Sequence, residues 1–234
     1  MATSTLTATK KIKHAEIGNS PIFPHLIRAV DLLPDRSSAA DQSPVDGQAG
    51  SPFNLNALQG RLVELSSGRS SACLSLICTL LLEAQKLSTP VVWISVTRDS
   101  FYPPDLAANG IDLSVLPVVW LPDIRSAVRA ADQLLGTGAF GLLVIDLYRN
   151  ARLPAPLQVR LARSALNHGC TVCFLTVKEE QSPSLGSMIS LYARVSRSRN
   201  AAGRFRLDLR VIKDKRSAPV WGHVEHIDGP PGLR

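Results

Sequence analysis

Residues 61–76 read RLVELSSGRSSACLSL: an apolar, strand-like run, a loop of small residues, and the beginning of a long apolar segment. Short apolar runs bounded by turn residues mark buried strands, and longer ones with three-to-four-residue recurrence mark helices. Outward from this unit, the same alternation continues. Strands are predicted at 61–65 (RLVEL), 91–96 (VVWISV), 117–121 (PVVWL), 141–147 (GLLVIDL) and 170–177 (CTVCFLTV). Helices are predicted at 70–87, 103–109, 123–136 and 154–169, with Asp123 placed as an N-cap and Gly136 and Gly169 where two helices end. Strand and helix in regular succession predict an α/β domain, a mostly parallel sheet flanked by helices. Beyond residue 190 the pattern changes. LYARVSRS, a turn at Asn200–Gly203 and RFRLDLRVIK, in which Phe205, Leu207, Leu209 and Val211 alternate with Arg204, Arg206, Asp208 and Arg210, predict a half-exposed antiparallel hairpin extending the sheet.

The chain has 234 residues, 45% of them hydrophobic and 19% charged, enough for one substantial core. Residues 1–50 are predicted to be a tail, 51–228 the core and 229–234 a second tail. Within the first tail, Leu26, Ile27, Val30 and Leu33 recur at near-helical spacing, which predicts a short apolar helix over 21–33, followed by a Ser-, Asp-, Gly- and Pro-rich linker. Such a helix docks on its own domain or on a partner protein. In the second case Leu26, Ile27 and Val30 are the apolar anchors and Arg28 the rim. No run approaches the roughly 18 apolar residues of a membrane span, and the first residues lack the apolar stretch of a secretory signal, so a cytoplasmic protein is expected.

Cysteine usage excludes a disulfide scaffold: four residues, Cys73 and Cys78 in one predicted helix, Cys170 and Cys173 in one predicted strand. A three-residue offset along a strand sends Cys170 and Cys173 to opposite faces, so this C-x-x-C is a poor metal or redox pair. The formal charge of +7 is concentrated between Arg194 and Arg216, where nine basic residues face two acids. Arg197, Arg199, Arg204, Arg206 and Arg210 are candidates for a basic patch, either a footprint for nucleic acid or an acidic partner, or a solvated sheet face.

The strand–loop–helix unit at 61–76 is where a phosphate-binding loop would sit, because backbone N–H groups at a helix N-terminus cradle anions. A working loop also needs a terminal glycine, a lysine for the β and γ phosphates and a hydroxyl for magnesium. Following Ser67 and Gly68, those three places hold Ala72, Cys73 and Leu74. A neutral thiol supplies no cation and leucine cannot ligate a hard metal ion. Gly68, Ser70 and Ser71 retain at most a weak anion site. Asp146, closing the apolar GLLVID, has the context of a Walker-B carboxylate but lacks its hydroxyl partner, and reads as a remnant. No catalytic residue, cofactor or metal site is expected.

Five stretches in order, GRLVEL, LAANGIDLSVLPVVWLPD, GLLVID, SMISLYARVSRSR and RVIKDKRSAPVW, resemble the corresponding parts of the RecA recombinase core over roughly residues 50–228. The resemblance implies a RecA-like sheet with the antiparallel hairpin as its C-terminal extension. It also places Thr97 where the recombinase has its catalytic glutamate, which removes the base for water activation. The segments matching the two DNA-binding loops are short, LYRNARLPAP and KEEQSPSLG, and the second carries Glu179 and Glu180, the wrong sign for phosphate. A RecA-like chain with these losses resembles the ImuA family of accessory proteins in damage-induced mutagenesis. That resemblance implies a non-enzymatic role in the SOS response, with RecA, an ImuB-like relative of Y-family polymerases and an error-prone C-family DNA polymerase as partners, and at most weak contact with DNA. Three alternatives stay open: a cell-division inhibitor of the SulA type, a weak nucleotide sensor, and a direct DNA binder.

Overall fold

The computed structural model describes residues 52–68, 72–97, 101–149, 152–199, 204–217 and 221–227, together with the backbone of 26–28. The elements in chain order are β1 (Leu26–Arg28), α1 (Leu55–Leu58), β2 (Leu62–Ser67), α2 (Ala72–Lys86), β3 (Val91–Ser95), α3 (Pro103–Ala108), a 3₁₀ turn (Leu113–Val115), β4 (Pro117–Trp120), α4 (Ile124–Gly136), β5 (Leu142–Arg149), α5 (Ala155–His168), β6 (Thr171–Val177), β7 (Leu191–Arg199), β8 (Phe205–Asp214) and β9 (Gly222–Ile227). They build one nine-stranded sheet in the order β1-β4-β3-β5-β6-β2-β7-β8-β9. The strands from β4 to β7 in that order are mutually parallel, β1 pairs antiparallel at one edge, and β8 and β9 continue antiparallel at the other. The expected α/β architecture, a mostly parallel sheet flanked by helices with an antiparallel C-terminal extension, is present.

Period-two alternation sorts the strand residues into two cores. Val63, Leu65, Val91, Trp93, Leu142, Val144 and Cys173 pack with α1, α2 and α3 on one face. Leu62, Val92, Ile94, Leu143, Ile145, Val172 and Phe174 pack with α4 and α5 on the other. The caps read from the sequence act as expected at two helix ends: the Asp123 carboxylate accepts the Ser126 N–H at 2.8 Å, and Gly169 closes α5 at φ 64°, where a side chain would be strained. Cys170 lies in one core and Cys173 in the other, so the C-x-x-C is split across the sheet. Among the described residues no helix is long and apolar enough to cross a membrane.

Three elements depart from expectation. Where a helix was predicted over 21–33, residues 26–28 form a strand with Leu26 paired to Val119 and Arg28 to Pro117. The edge of β4 offers unpaired backbone groups, and satisfying them outweighs a weak helical periodicity in a segment that Pro24 already disfavours as helix. Val30 and the rest of the predicted helix lie outside the described residues, as do the turn at 200–203, the linker and the last seven residues. Strand β9 and the single-turn α1 were not predicted. Helix α2 is enclosed on its outer side as well: Trp221 and Ile227 pack against its core, the Thr79 hydroxyl donates to Glu225 at 3.2 Å, and Glu83 accepts the Leu55 N–H at 2.9 Å.

Beside the start of β2, Arg61 is buried and ion-paired with Asp214 at the end of β8. Arg61 also donates to the Ser190 hydroxyl at 2.9 Å, while Asp214 accepts from the Trp221 indole at 3.0 Å and the Arg216 N–H at 2.9 Å. Burial by itself raises the Asp214 carboxyl, but the bonds from Arg216, Trp221 and Arg61 outweigh it and hold the group below the usual carboxylate range. Its stabilising contribution is therefore complete above the unfolded value of about 4 and is lost as pH falls through the lower folded value. Asp214→Ala strands a buried guanidinium, and urea titration at pH 7 should show a loss of about 3–5 kcal/mol. Asp214→Asn should flatten the acid limb of the stability profile below about pH 4; an unchanged limb would contradict this assignment.

Candidate functional site

The C-terminal ends of β2, β5 and β3 converge under the N-terminus of α2, the position of a phosphate-binding loop. The register places Asp146 beside Ser95 of β3 and, across Leu175 of β6, in line with Leu65 of β2. Asp146 is buried, and its charge acts on Cys73 in the first turn of α2. A strand thus leads to a helix at this place, with Ser67 at the end of β2, Gly68 exposed just beyond it and α2 beginning at Ala72. Ser70 and Ser71, the other two members of the weak anion site considered above, lie outside the described residues.

Among the described residues, the three places expected for the glycine, the lysine and the hydroxyl do not supply phosphate chemistry. Cys73 occupies the lysine position and is buried, with burial pushing its thiol up to about 12; a hydrogen bond with Ser67 opposes that rise, and the Asp146 and Glu64 carboxylates add to it. The group is neutral near pH 7 and supplies no cation. Ala72 is fully buried and Leu74 packs half-buried against the α2 core, so neither offers an oxygen to a metal ion. On the adjacent strand end, the Thr97 N–H donates to the Ser95 hydroxyl at 3.2 Å, and that hydroxyl donates back to the Thr97 carbonyl at 2.6 Å. Both bonds engage the Thr97 backbone; a threonine hydroxyl, unlike a glutamate carboxylate, is too weakly basic to act as a general base near neutral pH. Next to it, Phe101 packs edge-on between Trp93 and Trp120, with ring centroids 5.1 and 6.0 Å apart.

A second constellation went unread in the sequence. Glu64, in the middle of β2, is fully buried and bonds to Lys178 Nζ at 2.5 Å, the Thr176 hydroxyl at 3.1 Å and the Leu185 N–H at 2.6 Å. Lys178 also donates to the Pro183 carbonyl at 2.9 Å; the Tyr192 hydroxyl donates to Ser182 at 3.0 Å; Arg194 donates to the carbonyls of Lys178 at 3.1 Å, of Ser182 at 3.3 Å and of Glu179. Gln158 holds the same segment from α5, donating to the Leu185 carbonyl at 3.3 Å and accepting the Met188 N–H at 3.2 Å. The loop after β6, matched above to a DNA-binding loop, is tied down by this set. A glutamate inside an otherwise apolar strand was the available signal, since a buried carboxylate requires donors.

The basic-patch candidates divide between two sheet faces. Directly opposed residues of an antiparallel pair share a face. Arg197, Arg199 and Phe205 therefore lie on the α2 side, and Arg206 and Arg210 on the other. Arg206 is bound by Asp208 at 2.9 and 3.0 Å. Arg204 is exposed just before β8. Of the N-terminal candidates, Leu26, Ile27 and Arg28 have their backbone in β1.

No protein-family model matches this chain, and no curated protein matches it in sequence.

Two outcomes follow from this geometry. Burial raises all four thiols: Cys73, Cys78 and Cys170 to about 12, and Cys173 well above its ordinary value. A disulfide reagent at pH 8 should leave native protein unlabelled over minutes and label four thiols in urea. Because the folded values are raised, stability is intact below about pH 8.5 and should decline above it; a flat urea midpoint from about pH 8 to 10.5 would contradict the burial. Glu64→Ala leaves Lys178 and the Leu185 N–H without their acceptor. It should lower stability by about 3–5 kcal/mol and open the chain to protease between 178 and 187; cleavage spread evenly over the chain would contradict a loop-specific role.

Proposed function

We propose that the chain is a non-catalytic RecA-like accessory protein of SOS-induced, error-prone translesion DNA synthesis: an adaptor that contacts the RecA recombinase and an ImuB-like relative of the Y-family polymerases, and through them an error-prone C-family polymerase. The observation that carries the reading is Cys73, a buried neutral thiol in the first turn of α2, where the resemblance to the recombinase core expects the lysine. A loop without a lysine and a hydroxyl at those two places is poorly suited to neutralise the charge that develops in phosphoryl transfer. A recombinase-shaped domain without that chemistry is suited to recognition by shape, either of the recombinase or of its partners. The five collinear stretches that resemble the recombinase core support the reading, and the pinned loop after β6 supports a fixed surface in place of a mobile catalytic one.

Residues 26–28 cover the β4 edge, so an N-terminal truncation both removes the candidate anchors and uncovers that edge. Calorimetry of full-length protein with RecA and with an ImuB-like protein should give a dissociation constant near about 1 μM for at least one of them, equivalent to about −8 kcal/mol. Removing residues 1–33 should weaken the RecA interaction at least about tenfold. Absence of binding to both partners would overturn the adaptor reading.

A further inference from the structure

The tip of the β7–β8 hairpin carries more than positive charge. Arg199 stands opposite Phe205, and Arg197 opposite Leu207, on one face of the hairpin. The guanidinium carbons of Arg197 and Arg199 lie 4.9 and 5.9 Å from the centre of the Phe205 ring, within cation–π range. Both arginines are exposed and the ring is half-buried, so the cluster is reachable from solvent. Arg204, also exposed, adjoins Phe205 in the chain. On the same face the acid in cross-strand line with Arg197 is Glu225, one strand further across Leu207, where it accepts the Thr79 hydroxyl.

We propose that Arg197, Arg199, Arg204 and Phe205 form a binding platform for single-stranded nucleic acid. The guanidinium groups take phosphates, and the ring with its flanking guanidinium planes takes an unstacked base. Single strands present both features at once, since every base has an exposed π-face, and a ring set among arginines suits them without reading sequence. Duplex engages the phosphate-binding guanidinium groups but gains nothing from the ring, because its bases are stacked and present no free π-face. An acidic peptide would meet the same charges but gain nothing from the ring. The opposite face of the hairpin is a poorer candidate, since among the described residues neither Arg206 nor Arg210 lies over an aromatic ring as Arg197 and Arg199 do. The platform is independent of the adaptor reading and of the short loops after β5 and β6.

Fluorescence anisotropy of the full-length protein with labelled oligo(dT) of about 20 nucleotides, from about 50 to 200 mM salt, tests it. Arg197→Gln with Arg199→Gln should weaken binding about tenfold and reduce the salt slope by about 1.4, at about 0.7 per phosphate contact. Phe205→Leu should weaken binding about five- to tenfold at unchanged slope, the signature of a lost stack. Arg206→Gln with Arg210→Gln should stay within about twofold of wild type, since those side chains face away. Equal binding of oligo(U) would support the platform with either sugar, and weaker binding of oligo(U) would support it with DNA. The proposal is overturned by duplex of the same length binding as tightly, by poly-glutamate displacing the oligonucleotide, by the opposite-face pair mattering as much, or by no binding at all. Should Phe205→Leu fail to fold, the exposed arginine pair carries the decision alone through its salt slope.

Discussion

Strand β2 runs through the middle of the sheet between β6 and β7, covered on both faces, and two charges at and near its start, Arg61 and Glu64, are buried with it. Each would cost several kcal/mol if left unpaired. Their partners, Asp214 and Lys178, come from far along the chain. Pairing them fixes the end of β8 and the loop after β6 against the strand that leads into the phosphate-loop position. Ser190, Trp221, Thr176 and the Leu185 N–H complete the two sets of hydrogen bonds, so the C-terminal half is held by polar contacts as well as by the sheet. Buried ion pairs of this kind give little net stability compared with a packed apolar pair, but losing one partner is expensive. They specify which loop lies where.

That constraint fixes the strand ends and the start of α2 independently of any bound ligand. The crossover from β2 through α2 to β3, the buried Asp146 and the close approach of α2 to the strand ends are all consequences of core packing. None of them needs a nucleotide. At Cys73 the same packing keeps a small thiol buried and neutral, where a lysine would bring a charge that burial disfavours. The antiparallel extension, with its aromatic and arginine cluster, lies at the opposite edge of the sheet from β1.

The buried strands were legible because parallel strands covered on both faces are nearly continuous apolar runs, and the caps at Asp123 and Gly169 were legible because their chemistry is local. The split of Cys170 from Cys173 followed from alternation alone. The segment around Leu26 was misread because the adjacent pair Leu26 and Ile27 fits an edge strand as well as a helix turn, and the free edge of β4 decides between them. Strand β9, GHVEHI, shows no apolar alternation strong enough to announce it, and pairing with β8 supplies its reason to exist. The arginines between 197 and 210 are adjacent in sequence yet lie on two faces, which a count of charges conceals. At Arg61 and Glu64 the sequence shows charges in an apolar strand, but partners more than a hundred residues away depend on the complete topology.

Equilibrium titration of full-length protein with labelled ATP and magnesium tests most directly the proposal that the chain binds no nucleotide. The expected result is no saturable binding up to about 1 mM, weaker than about −4 kcal/mol. Submillimolar binding that Asp146→Ala abolishes would contradict it and return the chain to the nucleotide-binding members of its fold.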